Sequence, residues 1–428
     1  MKFKRSGSWN QGTPKLRRNG QWVTAGAAGG SGSDTSTAPT DSGFGWDQTF
    51  TDTSWVESAG DDLNVEKVTT TESTGSGSIK AALDNAADGP TVVVFEVGGV
   101  IQLDPDEELK VRSPEVWIAG ETAPDPGITI TRGRVRIYEP RVIMSHISVL
   151  IGDGTDGASD GLVLDADDIM VDHCTVAWGT DENAGASNAV ARGSFINSIF
   201  AEALYDSIHP EGTHSRGMLF NDEGSTDLAV MGCLFSHSNR RNPMSRGDMV
   251  IANNYVYNYG GLMAHFNGSS NPDVTAAGLL YEEGNDSDSE VEVFQYGAKL
   301  YTQSVETKPN DHPLTDGDSE MVDSPPILPD GLDIDKDVVP ASEVKEFVLA
   351  RTGPRPARRP EVEKGIVSRL NSDYGFVDSQ SNVGGYPTYT EQTRTLDVPS
   401  SGLLDWVRGY KRDVEVSTEK KSSSKTPN

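Results

Sequence analysis

DIMVDHCTVAW (residues 168–178) is a short run rich in β-forming residues, and similar runs recur on both sides of it. They are RVIMSHISVLIG (141–152), SFINSIFAEAL (194–204), DLAVMGCLFSH (227–237) and DMVIANNYVYNYG (248–260). One matched position falls at His146, Cys174, Ser198, Cys233 and Asn254, with gaps of 28, 24, 35 and 21 residues. Repeats of this length, built from short strands and loops of variable size, are typical of a solenoid.

The repeat predicts an all-β fold, a right-handed parallel β-helix, in which equivalent side chains of stacked coils form ladders. Small polar residues at the matched position fit an interior ladder. We therefore expect Cys174 and Cys233 to be buried on different coils and unbonded. GSIKAALDNAA (77–87) predicts a helix with Ser78 as its N-cap, and this helix would cap the open end of the solenoid.

Composition divides the chain into five parts. These are a basic Trp-containing attachment segment (1–23), a flexible linker (24–43), the β-helix (44–302), an acidic loop, helix and packing segment (303–410) and a disordered tail (411–428). Gly, Ser and Thr dominate the linker. VPASEVKEFVLARTG (339–353) predicts the helix of the fourth part.

The charge of the chain is strongly acidic. Asp and Glu number 65 against 36 Lys and Arg, which gives a formal net charge of −29. Such an excess is typical of a halophile's protein, where salt screens the self-repulsion, and it argues against nucleic-acid binding. No apolar run approaches the ~18 residues of a membrane span. The basic start lacks the apolar stretch of a signal peptide. Either the sequence is numbered after processing or the protein leaves its cell by another route, and we expect an extracellular or virion location.

The first 22 residues differ from the rest because they contain six basic residues and no acidic one. KRSGSW (4–9) returns as RRNGQW (17–22), and each copy reads as a strand, a Gly turn and a Trp, which indicates a small β-hairpin. A disordered basic tail is the alternative. The repeat favours a docking module that joins a larger assembly, and it resembles attachment segments of viral tail proteins.

A second basic stretch, HSNRRNPMSR (237–246), places Arg240, Arg241 and Arg246 within seven residues of an acidic chain. Its spacing fits an Arg-x-Pro-x-x-Arg motif that begins at Arg241, and Asn253-Asn254 follow. Positive charge gathered in this way is what an anionic substrate needs on an otherwise repulsive surface.

With these motifs the chain resembles polysaccharide lyase family 1, the pectate lyases. The resemblance rests on the Arg motif and four further stretches, and it covers about residues 44–410. The stretches are GSGSIKAALDNAADGPTVVVFEVGGVIQL (75–103), GETAPDPGITI (120–130), DGLVLDADDIMVDHCTVAWGTDE (160–182) and GFVDSQSNVGGYP (375–387). It implies cleavage of an acidic uronate polymer by β-elimination, with Ca²⁺ as cofactor.

The resemblance also implies roles for individual residues. Arg241 falls on the catalytic base, which requires neighbouring cations to depress its pKa, and Arg246 falls on the arginine that clamps the substrate carboxylate. Arg216 and His214 occupy the substrate-binding segment, where Arg216 replaces a Lys. Arg240 is expected to tune Arg241, to contact substrate or to pair with surface acid.

For the metal, the resemblance implies Asp172 and Asp181, nine residues apart, with Asp160 as a further ligand. The family often has another Asp four residues after the second ligand, where this chain has Gly185. We expect Glu182 to take over the missing role. Hard oxygen ligands of this kind suit Ca²⁺.

Three interpretations remain open from the sequence. In the first, the chain is a lyase that is either secreted or carried on a virion tail spike or fibre. In the second, it is a catalytically inactive β-helix that binds an acidic polysaccharide or host surface glycan. In the third, it is a structural tail protein whose motif arginines serve in salt bridges. The sequence does not decide the identity of the glycan or whether the chain forms homo-oligomers.

Overall fold

A computed structural model of the 428-residue chain describes residues 43–416, except 87–88, 106, 156, 268 and 270, together with four short N-terminal strands. These strands form two antiparallel hairpins, Lys2–Arg5 with Ser8–Gln11 and Lys15–Arg18 with Gln21–Thr24. They agree with the predicted β-rich N-terminal segment and lie in a compact unit of their own, residues 1–37. The predicted linker beyond residue 24 and the end of the predicted tail lie outside the described residues.

The second unit is built from parallel strands that pair from one coil to the next in three sheets, which confirms the predicted parallel β-helix. The first sheet contains Asn64–Val68, Thr91–Phe95, Val116–Ala119, Val142–Ser145, Ile169–Asp172, Gly193–Ile196, Leu228–Met231 and Met249–Ala252. The second contains Val97–Gln102, Ile128–Thr131, Ile147–Leu150, Thr175–Ala177, Ile199–Ala201, Leu234–Ser236 and Tyr255–Tyr257. The third contains Glu108–Val111, Arg134–Ile137, Leu162–Leu164, Glu182–Ala186, Arg216–Phe220, Met244–Ser245, Ala264–Phe266 and Phe294–Gln295.

The regular pairing extends past the predicted boundary at residue 302. The long strands Asp273–Glu282 and Lys299–Lys308 pair with each other along their whole length, and Glu320–Met321 pairs with the second of them. A final short strand, Gln392–Thr393, pairs antiparallel with the start of the second sheet.

The matched position of the sequence repeat lies at the corner between the first two sheets. The Cys174 amide donates to Ser198 Oγ at 3.0 Å, and the Cys233 amide donates to Asn254 Oδ1 at 2.8 Å. This is the expected interior ladder, and both cysteines are buried and unbonded. His146 is out of register by one residue: Ser148 pairs with Thr175, so Ile147 is the residue opposite Cys174.

The described residues form six α-helices: α1 Ser54–Ala59, α2 Ile79–Asn85, α3 Ile334–Asp337, α4 Ala341–Arg351, α5 Glu361–Arg369 and α6 Leu403–Glu415. The Ser78 side chain accepts a hydrogen bond from the Ala81 amide, which confirms the predicted N-cap of α2. Short 3₁₀ helices lie at Trp46–Gln48, Gly60–Asp62, Gly120–Thr122, Pro356–Arg358 and Gln380–Val383. No helix among the described residues is long and apolar enough to cross a bilayer.

Apolar side chains of α4, α5 and α6 form a second core against the outer side of the first two sheets. In α6, Leu403, Val407 and Val414 are buried. Residues 411–415 are therefore part of a packed helix, and the prediction of a disordered tail that begins at residue 411 is wrong for them. The polar sequence KRDVE (411–415) does not indicate burial. Its lysine and glutamate nevertheless form ion pairs inside the protein, Lys411 with Asp172 and with Glu415.

Candidate active site

The third sheet gathers three carboxylates at one place. Asp160 precedes the strand Leu162–Leu164, and Asp181 and Glu182 stand at the start of the neighbouring strand, so that one ligand oxygen from each lies within 4.8 Å of the others. The Glu182 amide donates to Asp160 Oδ1 at 3.1 Å. We call Asp160, Asp181 and Glu182 the third-sheet cluster. It contains three of the four predicted metal ligands.

The charges of this cluster are only partly balanced. Burial, reinforced by the Asp181 charge, raises the pKa of Asp160 to about 6. Burial also acts to raise the pKa of Asp181, but the hydrogen bond and charge of His214 outweigh it, so the pKa of Asp181 is lowered. Two carboxylates that repel each other in a half-buried site fit a bound divalent cation, which would relieve the repulsion.

Arg241 lies directly against this cluster and forms an ion pair with Glu182. Its backbone is in the left-handed region at φ 62°, which turns the chain before the cis peptide bond to Pro243. Burial lowers the pKa of the Arg241 guanidinium, and Arg246 acts in the same direction while Asp181 and Asp160 oppose it. The direction is the one that a basic role at this position requires.

Two further arginines stand next to the cluster. Glu182 and Arg216 are opposite each other in the third sheet, and Arg216 and Arg240 form an isolated parallel bridge on the next coil. Within the described part of the chain, Nε and Nη1 of Arg216 are buried and have no hydrogen-bond partner. Burial, followed by the Arg240 charge, lowers the pKa of Arg216. Its unused donors fit a planar anion such as a carboxylate.

Arg246 lies at the start of the loop beyond Met244–Ser245, where its Nε donates to Asn267 Oδ1 at 3.3 Å. It is near enough to Arg241 to contribute to the lowering of its pKa. The structure therefore brings Arg216, Arg240, Arg241 and Arg246 to the same side of the third-sheet cluster.

His214, which was predicted to bind substrate, contacts the third-sheet cluster: its Nε2 lies 2.7 Å from Asp181 Oδ1. His209, which the sequence analysis passed over, stacks on His214 with 3.6 Å between ring centroids, and its Nδ1 accepts a hydrogen bond from the Glu211 amide. The spacing His-Pro-Glu-Gly-Thr-His could have indicated such a pair. These two rings hold Asp181 in place.

Asp172 does not join the third-sheet cluster, and its prediction as a metal ligand is wrong in this structure. It ends a strand of the first sheet, whereas Asp181 precedes a strand of the third. Its fully buried carboxylate accepts hydrogen bonds from Trp46 Nε1 at 2.8 Å and from Asn197 Nδ2 at 3.2 Å, and it pairs with Lys411. Every side of Asp172 is thus occupied by protein donors.

Gly185 cannot be replaced by an aspartate without moving the backbone. A Cβ at this position would lie 2.0 Å from the carbonyl oxygen of Leu219 on the adjacent strand. Glu182, three residues earlier, supplies the third carboxylate instead. That Glu182 takes over the role of the missing side chain stays a prediction.

No protein-family model matches the chain. Three related curated proteins are named probable pectate lyase C: one from Aspergillus flavus is 28% identical over 348 residues, 77% of this chain and 79% of that protein. One from Aspergillus terreus is 32% identical over 244 residues, 56% of this chain and 54% of the relative. One from Emericella nidulans is 34% identical over 209 residues, 48% of this chain and 46% of the relative.

Among solved structures, the cedar pollen allergen Jun a 1 aligns with a TM-score of 0.49 and 12% identity, covering 69% of this chain and 90% of the allergen. A Bacillus sp. N165 pectate lyase in complex with trigalacturonate aligns with a TM-score of 0.47 and 13% identity, covering 68% of this chain and 93% of that enzyme. The sequence relatives support the predicted enzyme class, a pectate lyase-like polysaccharide lyase.

Proposed function

We propose that the protein is an extracellular, calcium-assisted polysaccharide lyase that cleaves an acidic, uronate-containing glycan by β-elimination. The observation that carries the proposal is the position of Arg241 against the third-sheet cluster, where burial lowers the pKa of its guanidinium. Because the C5 proton of a uronate is only weakly acidic, its removal needs a base beside a site that stabilises the developing anion. Arg241 is the candidate base, and the third-sheet cluster is the candidate site for a cation that stabilises the anion.

Substrate binding is assigned to the arginines. Arg216 has two buried donors, Nε and Nη1, without a partner among the described residues, so it can donate a charge-assisted hydrogen bond to a uronate carboxylate. Arg240 and Arg246 add positive charge on either side. Their positive charges offset the negative potential of the acidic protein at the site, so that an anionic polymer can approach.

In the reaction, Arg241 accepts the proton from C5 of the uronate unit. The electron pair of the C5–H bond forms the double bond between C4 and C5, and the bond from C4 to the glycosidic oxygen breaks. The leaving oxygen keeps the electron pair of the broken C4–O bond and takes a proton from solvent. Glu182 favours the protonated form of Arg241 while the two are paired, so Arg241 becomes a better base when Glu182 is engaged elsewhere.

The residues present fit a calcium ion. Asp160, Asp181 and Glu182 offer hard oxygen ligands within reach of one another, and burial together with the Asp181 charge raises the pKa of Asp160, which a bound cation would counteract. When bound, calcium would neutralise the uronate carboxylate and so make the C5 proton more acidic.

The test is a lyase assay that follows the absorbance of unsaturated uronate products with calcium, at high salt, on several acidic polysaccharides. We expect Arg241→Ala to lower the rate at least ~10²-fold, the lower end of what a positioned acid–base group contributes. Arg358→Ala removes an exposed arginine that pairs with Asp125 far along the chain and is the matched control. Activity that survives Arg241→Ala would contradict the mechanism, and glycan binding without cleavage by the wild type would favour an inactive binding module.

We also propose that the N-terminal hairpins join the enzyme to a larger assembly, such as the tail spike or fibre of a virus that infects a halophile. The observation in favour is that two hairpins with the same pairing pattern repeat thirteen residues apart in a basic segment. Deleting residues 1–22 should abolish assembly and leave lyase activity and the β-helix intact. Assembly that persists without residues 1–22 would contradict this part of the proposal. Loss of folding would show that the segment is part of the β-helix and not a separate attachment module.

A further inference from the structure

A cavity lies on the side of the solenoid that the helices cover, between α6 and the chain at residues 121–123, 355–358 and 394. Its volume is about 340 Å³, at the lower end of the range for small-molecule sites. We call it the arginine cavity, because three arginines line it together with two carboxyl groups and a tyrosine. These residues are Arg355, Arg358, Arg394, Glu121, Asp413 and Tyr410. They do not belong to the third sheet, so the arginine cavity is separate from the candidate active site.

Arg394 is exposed, held in place and without an acidic partner. Its Nη2 donates to the carbonyl oxygen of Thr122, and its guanidinium lies 4.8 Å from the centroid of the Tyr410 ring. It forms no ion pair with a carboxylate of the described residues. In a chain with 65 acidic and 36 basic residues, a positioned arginine that lines a cavity and lacks a counter-charge indicates a place for an external anion.

Arg355 adds a second positive charge from inside the protein. It is 2% exposed, and it donates from Nη1 to the Ala123 carbonyl oxygen at 3.1 Å and from Nη2 to Asp125 Oδ1 at 2.6 Å. Asp125 also accepts a hydrogen bond from Arg358 at 3.2 Å, so this one carboxylate is shared by two arginines. Burial lowers the pKa of the Arg355 guanidinium; Asp125 opposes this, while the charges of Arg358 and Arg394 act with burial. The arginines around the cavity thus repel one another.

Glu121 is a buried carboxyl group at the wall of this cavity. Its Oε2 accepts a hydrogen bond from Ser145 at 2.7 Å, and its Oε1 has no hydrogen-bond partner among the described residues. Burial raises the pKa of Glu121 to about 7, with the Glu415 charge acting in the same direction and Ser145 and Lys411 opposing it. Below that pH Glu121 is mostly protonated and adds no negative charge to the cavity.

The cavity then holds a surplus of positive charge. When Glu121 is protonated, three arginines face two carboxylates, Asp125 and the exposed Asp413. The other lining residues are the apolar Ala123, Ala357 and Val416. An apolar wall beside unbalanced guanidinium groups suits a molecule with an organic body and an anionic group better than a bare ion.

We propose that the arginine cavity binds a small organic molecule that carries a carboxylate or a phosphate group. Arg394 would donate to the oxygens of the anion, because a planar guanidinium matches both groups. Arg355 is buried and acts through its charge, and Arg358 is occupied by Asp125 and is not assigned to the ligand. Two sources fit this chemistry, an acidic sugar and a sugar phosphate. The inference does not depend on the proposed lyase activity.

The test is titration calorimetry of the wild type at pH 5.5, in a chelator and at one fixed salt concentration. The probes are glucuronate, glucose 6-phosphate, inorganic phosphate and uncharged glucose. We expect glucuronate or glucose 6-phosphate to bind at least about tenfold more tightly than glucose and than inorganic phosphate, the effect of about one charge-assisted hydrogen bond. Whichever of the two is preferred identifies the source of the anion. These probes contain no glycosidic bond, so cleavage does not enter the measurement.

Variants show where the probe binds. Arg394→Gln keeps a polar side chain but removes the charge, and it should weaken the preferred probe about tenfold. Arg412→Gln, at an exposed arginine of α6 that does not line the cavity, is the control and should change nothing. Asp413→Asn removes a negative charge at an exposed position and should tighten binding, which keeps the proposal testable if Arg394→Gln fails to fold.

Glu121→Gln, which is neutral at every pH, tests the placement in a second way. At pH 8 the wild-type Glu121 is mostly ionised, so the variant should bind the preferred probe more tightly than the wild type, and at pH 5.5 the two should agree. Lys411 and Glu415 face Glu121 in both proteins, so their titration does not contribute to the difference.

Organic anions that bind no more tightly than glucose, or no more tightly than inorganic phosphate, would overturn the inference. So would an affinity that Arg394→Gln and Asp413→Asn both leave unchanged, or the absence of any difference between Glu121→Gln and the wild type at pH 8, because the anion would then lie outside the arginine cavity. The lyase assay decides the proposed function separately: a wild type that binds the probe but releases no unsaturated product with calcium contradicts the lyase and leaves this site standing.

Discussion

Two groups of buried acids lie on different sheets of the β-helix, and they are neutralised in different ways. The third-sheet cluster has three carboxylates beside Arg241. The second group, which we call the helix-covered cluster, comprises Asp172 and His173 of the first sheet corner with Lys411 and Glu415 of α6.

In the helix-covered cluster the protein supplies its own cation. Burial alone would raise the pKa of Asp172, but Lys411 and His173 hold it well below its ordinary value. The same two groups outweigh burial at Glu415 and lower its pKa. In the third-sheet cluster, by contrast, burial and a second carboxylate raise the pKa of Asp160, which supports the proposal that this cluster binds an external ion.

A metal ion in the helix-covered cluster is disfavoured by its hydrogen bonds. His146, His173 and Glu415 lie close enough to hold one. However, His146 Nδ1 accepts a hydrogen bond from the Arg355 amide, so the neutral ring carries its proton on Nε2, which lies 3.2 Å from Glu415. The ring nitrogen that faces the would-be site is therefore a donor and not a ligand.

The largest expected effect comes from removing the internal cation. Lys411→Met leaves Asp172 buried without its main partner, and breaking a buried pair in this way costs about 3–5 kcal/mol. Denaturant-induced unfolding measures the loss. Lys364→Met, in an exposed pair with Glu361, is the control and should change little.

A second variant separates charge from packing. Adding Asp172→Asn to Lys411→Met removes the unpaired charge and should recover part of the lost stability. If Lys411→Met behaves like the exposed control, the helix-covered cluster is not held together by its lysine, and the contrast between the clusters collapses.

The next prediction concerns Glu121, a carboxyl next to the helix-covered cluster that accepts a hydrogen bond from Ser145 at 2.7 Å. Burial raises the pKa of Glu121 from 4.5 to about 7. The folded state therefore binds this proton more tightly than the unfolded state, so stability is full below pH 4.5 and declines as the pH rises through about 7.

Glu121→Gln, which cannot ionise, should unfold at higher denaturant than the wild type above pH 7, by up to roughly 3 kcal/mol, and match it near pH 4. Free energies of unfolding across this range check the sign. If Glu121→Gln is less stable than the wild type at pH 8, the ionised carboxylate is stabilised in the folded state. Glu121 would then be neutralised by a charged or hydrogen-bonding partner and not by a proton.

The contrast also explains which features the sequence could predict. The coils were predictable because each repeats the same strand-forming pattern, and the ladder through Cys174 and Cys233 follows from that repeat. The resemblance to the pectate lyases placed Asp172 in the metal site together with Asp181, nine residues further along the chain. That distance along the chain spans a corner of the solenoid, so the two residues belong to different sheets.

Other features depend on contacts that no local pattern encodes. Lys411 and Glu415 look like part of a polar tail until the first sheet provides Asp172 and His173 as partners. His265 is a single histidine in an apolar run, and its pKa is lowered by burial and by the charges of arginines on neighbouring coils. Long-range placement, and not residue type, decides these roles.

The smallest of the effects sharpens the comparison most directly, because it asks which cluster responds to calcium. Ligand binding to the folded state stabilises it by about 2.7 kcal/mol at one hundred times the dissociation constant. Calcium should raise the unfolding temperature of the wild type, and Asp160→Asn or Asp181→Asn should remove most of that increase. Asp172→Asn should keep it despite a lower starting stability, as should Asp167→Asn, at a carboxylate outside both clusters whose side chain is 49% exposed. A calcium response that disappears with Asp172→Asn and survives Asp160→Asn would mean that the ion binds at the first sheet, displacing Lys411, and that the third-sheet carboxylates are balanced by Arg241 alone.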